Sequence, residues 1–256
     1  MPDFNRSVLA IHAHPDDTEA FCAGTLALLQ GRGYRVAIAT MTAGGMGGIS
    51  GSESETIAQR QQEARQAAAI IDADYHCLAQ RDGYLFDHEA VRIATTTLIR
   101  SVEAGVVMTH LPNDYHSDHR TTCNIVEAAS MLATLPNVPC RVAPLPRTPL
   151  LYHTAPLTLR DALGAPIAPP HFYVNIGDTI SVKKQMLALH RSQIELMRVM
   201  HKMDDFFEEM KRYSSELGAK VGVDYAEVFW QHLGGGFHQE ALLQQELGEL
   251  VLRETA

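Results

Sequence analysis

Val8-Leu9-Ala10-Ile11-His12-Ala13 runs without a break into His14-Pro15-Asp16-Asp17-Thr18-Glu19. The first six residues are almost continuously apolar, the pattern of a short buried strand, and the polar, proline-containing stretch ends it as a turn. Helical spacing follows over Glu19–Gln30, with Phe21, Leu26 and Leu29 as its apolar positions and Gly31-Arg32-Gly33 as its stop. Tyr34–Met41 reads as a second buried strand, and a glycine-rich loop, Thr42–Gly51, follows it.

Working outward, Ser52–Ile71 reads as a long helix with Glu53 and Glu55 near its amino end, where the helix dipole favours them. The pattern then predicts a strand over Tyr75–Leu78, a helix over Glu89–Glu103, a strand over Val106–Thr109 and a helix over Thr121–Leu132. Alternating strand and helix predicts βαβ units: a Rossmann-like α/β fold, its mostly parallel sheet flanked by helices, with a C-terminal helical and mixed extension. In such sheets ligands bind beyond the carboxyl ends of the strands, so the turns after Ala13, Met41 and Thr109 are expected on the functional edge.

The 256 residues suit a single domain, 1–256. Within it, 135–175 is proline-rich and irregular and is expected to form an insertion near the active-site edge, with strands over Leu150–His153 and Phe172–Asn175. Asp178 is placed to cap a helix running to about His201, and another helix is expected from about Asp204 to Leu217. A methionine-rich face, Met186 to Met200, reads as core or as a contact between subunits, which leaves a homo-oligomer open.

A formal net charge of −9 with no basic run argues against nucleic acid or an anionic membrane as the main partner. The four cysteines form no C-x-x-C pair, and in a chain of this length they favour a reducing compartment. No stretch approaches the roughly 20 apolar residues of a membrane span, so a soluble, cytoplasmic protein acting on a small molecule is expected.

Two segments carry chemistry. One is His14-Pro15-Asp16-Asp17-Thr18-Glu19; the other is His116-Ser117-Asp118-His119-Arg120, beyond the Val106 strand. Both fall at the same sheet edge. Together they offer two histidines and a carboxylate, His14, Asp17 and His119, to a metal that keeps one position open for water. A metal acidifies such a water and polarises a carbonyl, and Asp16 is the neighbouring carboxylate able to act as general base. His116 could donate to a developing oxyanion, with Asp118 orienting its ring. Blander readings attach to other residues. His110 reads as a strand terminus, and Cys22 as a small core hydrophobe. Gly44-Gly45-Met46-Gly47-Gly48 has neither the Lys-Ser/Thr of a phosphate loop nor the dinucleotide spacing, which leaves a flexible substrate loop.

His14-Pro15-Asp16-Asp17 with Glu19, and His116-x-Asp118-His119, resemble the A-H-P-D-D-x-E and H-x-D-H segments of the PIG-L/LmbE-like N-acetylglucosaminyl deacetylases. Arg60 with Glu63, Asp82-Gly83, His190-x-Ser192-Gln193 and Tyr225-Ala226-Glu227-x-Phe229 resemble further family motifs in the same order. The resemblance implies that His14, Asp17 and His119 bind Zn2+ (Fe2+ being the alternative), that Asp16 is the base, and that His116 is the oxyanion-side acid with Asp118 behind it. It also implies substrate contacts from Arg60 and Asp82. Gly45 departs from the pattern, standing where the family commonly has glutamate. The expected reaction is hydrolysis of an N-acetyl group on an N-acetylglucosamine derivative, by metal-held water activated by Asp16. The alternatives are an amidase for another N-acyl or thiol-conjugate substrate, a non-catalytic carbohydrate-binding protein, and a nucleotide binder.

Overall fold

The computed structural model describes residues 4–202 and 206–254. It opens with strand β1 (Ser7–His12), helices α1 (Asp17–Phe21) and α2 (Ala23–Gly31), and strand β2 (Arg35–Thr42). Next come α3 (Glu53–Ala69), β3 (Asp74–Gln80), α4 (Glu89–Ser101), β4 (Val106–His110), α5 (Ser117–Leu132) and β5 (Leu150–Thr154). The remainder is β6 (Phe172–Asn175), α6 (Ile180–Leu187), α7 (Arg191–His201), α8 (Phe206–Ala219), β7 (Ala226–Gln231), α9 (Leu242–Leu247) and the short β8 (Val251–Leu252). One sheet of eight strands holds the molecule together in the order β3-β2-β1-β4-β5-β7-β6-β8. The first five are mutually parallel, and β7, β6 and β8 continue the sheet in antiparallel pairings. The Rossmann-like α/β expectation and its mixed C-terminal extension therefore hold.

β1 explains why the sheet is covered on both sides. All six of its residues are buried. Val8 and Ala10 join a core cluster with Leu26 and Leu29 of α2 and Met186 of α6, whereas Leu9 and Ile11 join another with Val91 and Ile99 of α4 and Ile125 of α5. Successive side chains of a strand point to opposite faces, so one apolar run serves two helical layers. β1 also marks the topological switch: the chain turns from it to β2 on one side and, later, to β4 on the other. The crevice beyond β1 and β4 is where open α/β sheets bind ligands.

Several boundaries differ from the local pattern. The helix expected over Glu19–Gln30 breaks at Cys22 (φ −146°, ψ 10°), and α2 begins afresh. Its new amino end is held from far away: the Glu227 carboxylate accepts from Gly24 N (3.0 Å) and Thr25 N (2.8 Å) and pairs with Lys183 Nζ at 2.8 Å. α5 starts at Ser117, four residues before the expected Thr121, because the His116 ring caps it by accepting from Asp118 N. The helix expected from Asp178 to His201 is two helices, starting after Thr179 and after His190, with a break where buried His190 meets Glu19. The start expected at Asp204 lies outside the described residues, and α8 is described from Phe206.

Residues 150–154, within the stretch 135–175, form β5 in the body of the sheet. The chain before β5 reaches it at the amino end, where Leu150 N donates to Gly105 O, and only the part after Thr154 leaves from the site edge. Among the described residues no helix is long and apolar enough to cross a membrane.

Candidate metal centre and active-site cavity

The turn after β1 places its residues through an unusual backbone. Asp16 has φ 102°, a left-handed conformation that costs an L-residue of order 1–3 kcal/mol and that clusters at functional sites. Asp17 then opens α1, and its Oδ2 accepts from His14 N at 2.8 Å, which ties the turn shut. From β4 the chain delivers His116 and His119 on the cap and first turn of α5. The histidines thus stand on a helix end, more rigid than the loop the sequence implied.

The two segments meet. His14 Nδ1 lies 3.3 Å from Asp17 Oδ2, and His119 Nε2 lies 3.4 Å from Asp17 Oδ1. Ligand atoms of His14, His116 and His119 converge within 4.8 Å of one another, and so do those of Asp17, His110 and His119. His14, Asp17 and His119, the expected ligands, span these two overlapping groups. Burial pushes the Asp17 carboxyl up, but His119, His110 and His14 around it prevail and hold it well below the usual carboxylate range. Burial lowers His119, and Asp17 and Asp114 overcome this and raise it to about 9.

Two contributors were missed or underweighted in the sequence. His110 stacks on His119 with ring centroids 3.8 Å apart and 7° between planes, and its Nε2 accepts from Ala13 N at 2.9 Å. Asp114 sits behind both rings, its Oδ1 3.0 Å from His119 Nδ1 and its Oδ2 4.0 Å from His110 Nδ1. It also accepts from His116 N at 2.9 Å. The only sequence signal for Asp114 was one more acidic residue two places before His116.

Asp16 faces Arg60. The guanidinium lies 3.5 Å from Asp16 Oδ1, and its two terminal nitrogens donate to Pro15 O (2.8 Å) and Gly44 O (3.1 Å). Burial lifts the Asp16 carboxyl from 3.8 to about 7, against the pull of Arg60. The glycine loop is shaped around this arginine. A Cβ at Gly44 (φ +67°) would lie 2.3 Å from Arg60 Nη1, and one at Gly47 would lie 2.8 Å from it. At Gly45 a Cβ would meet Ile57 Cγ1 at 2.9 Å, so the family's common glutamate cannot simply be placed there. The loop's amides are also engaged: Gly44 N donates to Thr42 Oγ1, Met46 N to Asp82 Oδ2 and Gly47 N to Gly44 O. That arrangement does not suit a phosphate cradle.

Asp118 takes a different partner from the one expected. Its Oδ2 accepts from Gly83 N at 2.8 Å and lies 3.4 Å from His14 Nε2, beside Asp82 Oδ1 at 3.2 Å from the same nitrogen. Only its backbone amide meets His116, donating to Nδ1 at 3.2 Å. The early start of α5 turns the Asp118 side chain toward the Asp82-Gly83 turn. His116 is lowered by burial and by His14 and His119, and with Nδ1 accepting, its neutral ring carries the proton on Nε2.

The later motifs brace this arrangement. Ser192 Oγ donates to Glu63 Oε2 at 2.5 Å across 129 positions, and His190 lies 3.4 Å from Glu19. Gln193 beside them lines a cavity of about 410 Å³ that also takes in His14, Asp16, Asp17, Arg60, Asp82, His116 and His119. All the expected metal, base and substrate-contact residues and His116 line this one space, and Asp118, expected to orient His116, does not. The donor set fits a cation: Asp16, Asp17, Asp82 and Asp118 crowd the site with one guanidinium between them, beside the rings of His14, His116 and His119. Such a concentration of buried carboxylate and imidazole is stabilised by a divalent ion.

The chain is also similar to known proteins. The model of a family described as PIG-L, GlcNAc-PI de-N-acetylase, matches residues 9–130. The uncharacterized deacetylase YaiS of Escherichia coli is 31% identical over 144 residues, covering 52% of this chain and 71% of that protein. Diacetylchitobiose deacetylase of Thermococcus kodakarensis is 29% identical over 194 residues, 73% of this chain and 70% of the relative. Among solved structures, N,N'-diacetylchitobiose deacetylase from Pyrococcus horikoshii superposes with a TM-score of 0.75 at 24% identity, covering 92% of this chain and 87% of the other, which establishes the shared fold.

Proposed function

Because this chain belongs to the PIG-L family, whose named relatives are deacetylases and hence amide hydrolases, we propose that it hydrolyses the N-acetyl amide of a glucosamine-containing small molecule. The observation that carries the reading is the meeting of the two Asp/His segments at the β1/β4 switch point, with a carboxylate of raised pKa beside them.

His14, Asp17 and His119 would hold the ion, zinc in our reading and iron(II) as the alternative, since nitrogen and oxygen donors suit both. When bound, such an ion supplies Lewis-acid polarisation of a carbonyl and makes a nearby water more acidic. Asp16 accepts the proton of the attacking water; a carboxyl near neutrality is matched to that task. With Nδ1 accepting from Asp118 N, the His116 Nε2–H would serve as a neutral donor to the oxygen on which charge develops. Asp114 orients His119 through Nδ1, and Arg60 fixes the Asp16 turn through Pro15 O. The proton gathered on Asp16 is then available to the departing amine.

Acetate release from a panel of N-acetylglucosamine derivatives, with zinc-loaded and chelator-treated protein, tests this reading. Release that requires the ion supports it. No release from any member by protein with verified metal content refutes it.

A further inference from the structure

The 410 Å³ cavity that takes in the catalytic groups also has a wall of different chemistry. There Met46 of the glycine loop, Leu157 from the connection after β5, Leu196 and Met197 of α7, and Phe206 of α8 line the space. The wall is built. Phe206 is buried against Phe21 of α1 and Met210 of α8, with Leu157 and Met197 packed on the same cluster. The cavity meets solvent beside Met46 and Tyr115, which line it and are 43% and 45% exposed. A Cβ at Gly47 would lie 3.3 Å from Leu196 Cδ2, so the glycine loop and α7 approach closely at this mouth.

Cations decide what this wall can accept. Apart from the imidazoles of the metal site, the only one among the described lining residues is Arg60, 4% exposed and engaged with Pro15 O, Gly44 O and Asp16. Arg81, next to the Asp82-Gly83 turn, pairs with Glu53 at 3.2 Å. A carboxylate or phosphate seated between Leu196 and Phe206 would lose water and gain no partner, which is costly, whereas alkyl or aryl carbon there is stabilised by its burial.

We infer that the substrate's group opposite the reacting amide is uncharged and apolar, an alkyl or aryl aglycone on the amino sugar, seated between Met46, Leu196, Met197 and Phe206. The inference rests on the deacetylase reading for the identity of the sugar, and on the cavity wall for the nature of the aglycone.

Calorimetry on the zinc-loaded full chain separates the two. The probes are the product amines, hexyl glucosaminide and its 5-carboxypentyl counterpart, which bind without turnover. The hexyl compound should bind at least about tenfold tighter, the scale of burying two methylene groups. Leu196→Lys, at a partly exposed helix position, should bring that ratio to about one or reverse it while the melting temperature is kept. Equal or tighter binding of the carboxylate by wild type, or no binding of the hexyl compound, overturns the inference. Acetate release from the corresponding N-acetyl compounds is scored separately: hexyl binding without release removes the deacetylase reading and leaves the apolar subsite standing.

Discussion

The His110 and His119 rings lie stacked, 3.8 Å apart and nearly parallel, with the Asp114 carboxylate behind both. A ligand histidine is oriented by whatever its other nitrogen meets, so Asp114 would set the His119 ring for a metal without touching it. Asp114→Ala should weaken zinc affinity by about 10–100-fold, with His14, Asp17 and His119 all present. Competition with a chelator of known affinity reads this out, and unchanged affinity would remove Asp114 from the site.

As the proposed base, Asp16 must be ionised to accept a proton, so kcat/KM should rise with pH through its pKa. In the chain alone burial lifts that value to about 7, and a cation held by neighbouring Asp17 draws it back down. The acid limb of kcat/KM is therefore expected between 3.8 and about 7. Arg60→Met removes a positive charge 3.5 Å away and should move the limb upward. A pH–rate profile checks both position and direction; a downward shift in the variant would contradict the assignment.

Gly44→Ala should be destabilising beyond its single methyl. The position has φ +67°, which alone costs an L-residue of order 1–3 kcal/mol, and the new Cβ would press on the Arg60 guanidinium. A fall in melting temperature accompanied by lower kcat is expected, because Arg60 holds the Asp16 turn. An unaltered melting curve would mean that the loop can move aside.

Lys183 and Glu227 form an ion pair with both side chains almost fully buried, and Glu227 also holds the amino end of α2. Glu227→Gln leaves a buried ammonium without its counter-charge and should cost about 3–5 kcal/mol in urea unfolding. The Lys183→Met, Glu227→Gln double variant should recover part of that loss. A single variant within about 0.5 kcal/mol of wild type would refute the account.

Reading the sequence located what is local. β1, β2 and β4 were legible because strands buried on both faces are continuous apolar runs, and the two Asp/His segments were legible because each is compact. Two of the misses are long-range and one is an unusual local cap. Nothing near Cys22 announces that Glu227 will start a new helix there. β7, placed between β5 and β6, is the last long strand in sequence yet sits inside the sheet, which no local pattern encodes. Asp114 and the true partner of the Asp118 carboxylate depend on where α5 begins, and that is set by a histidine acting as a helix cap, a residue type seldom read as one.

The most direct test compares acetate release by zinc-loaded wild type and Asp16→Asn, with metal content measured in both. The account predicts a loss of at least about 100-fold in the variant, the scale of a general base, with zinc stoichiometry unchanged. Activity retained in Asp16→Asn with zinc bound would contradict the assignment of Asp16 as the group that takes the proton from water.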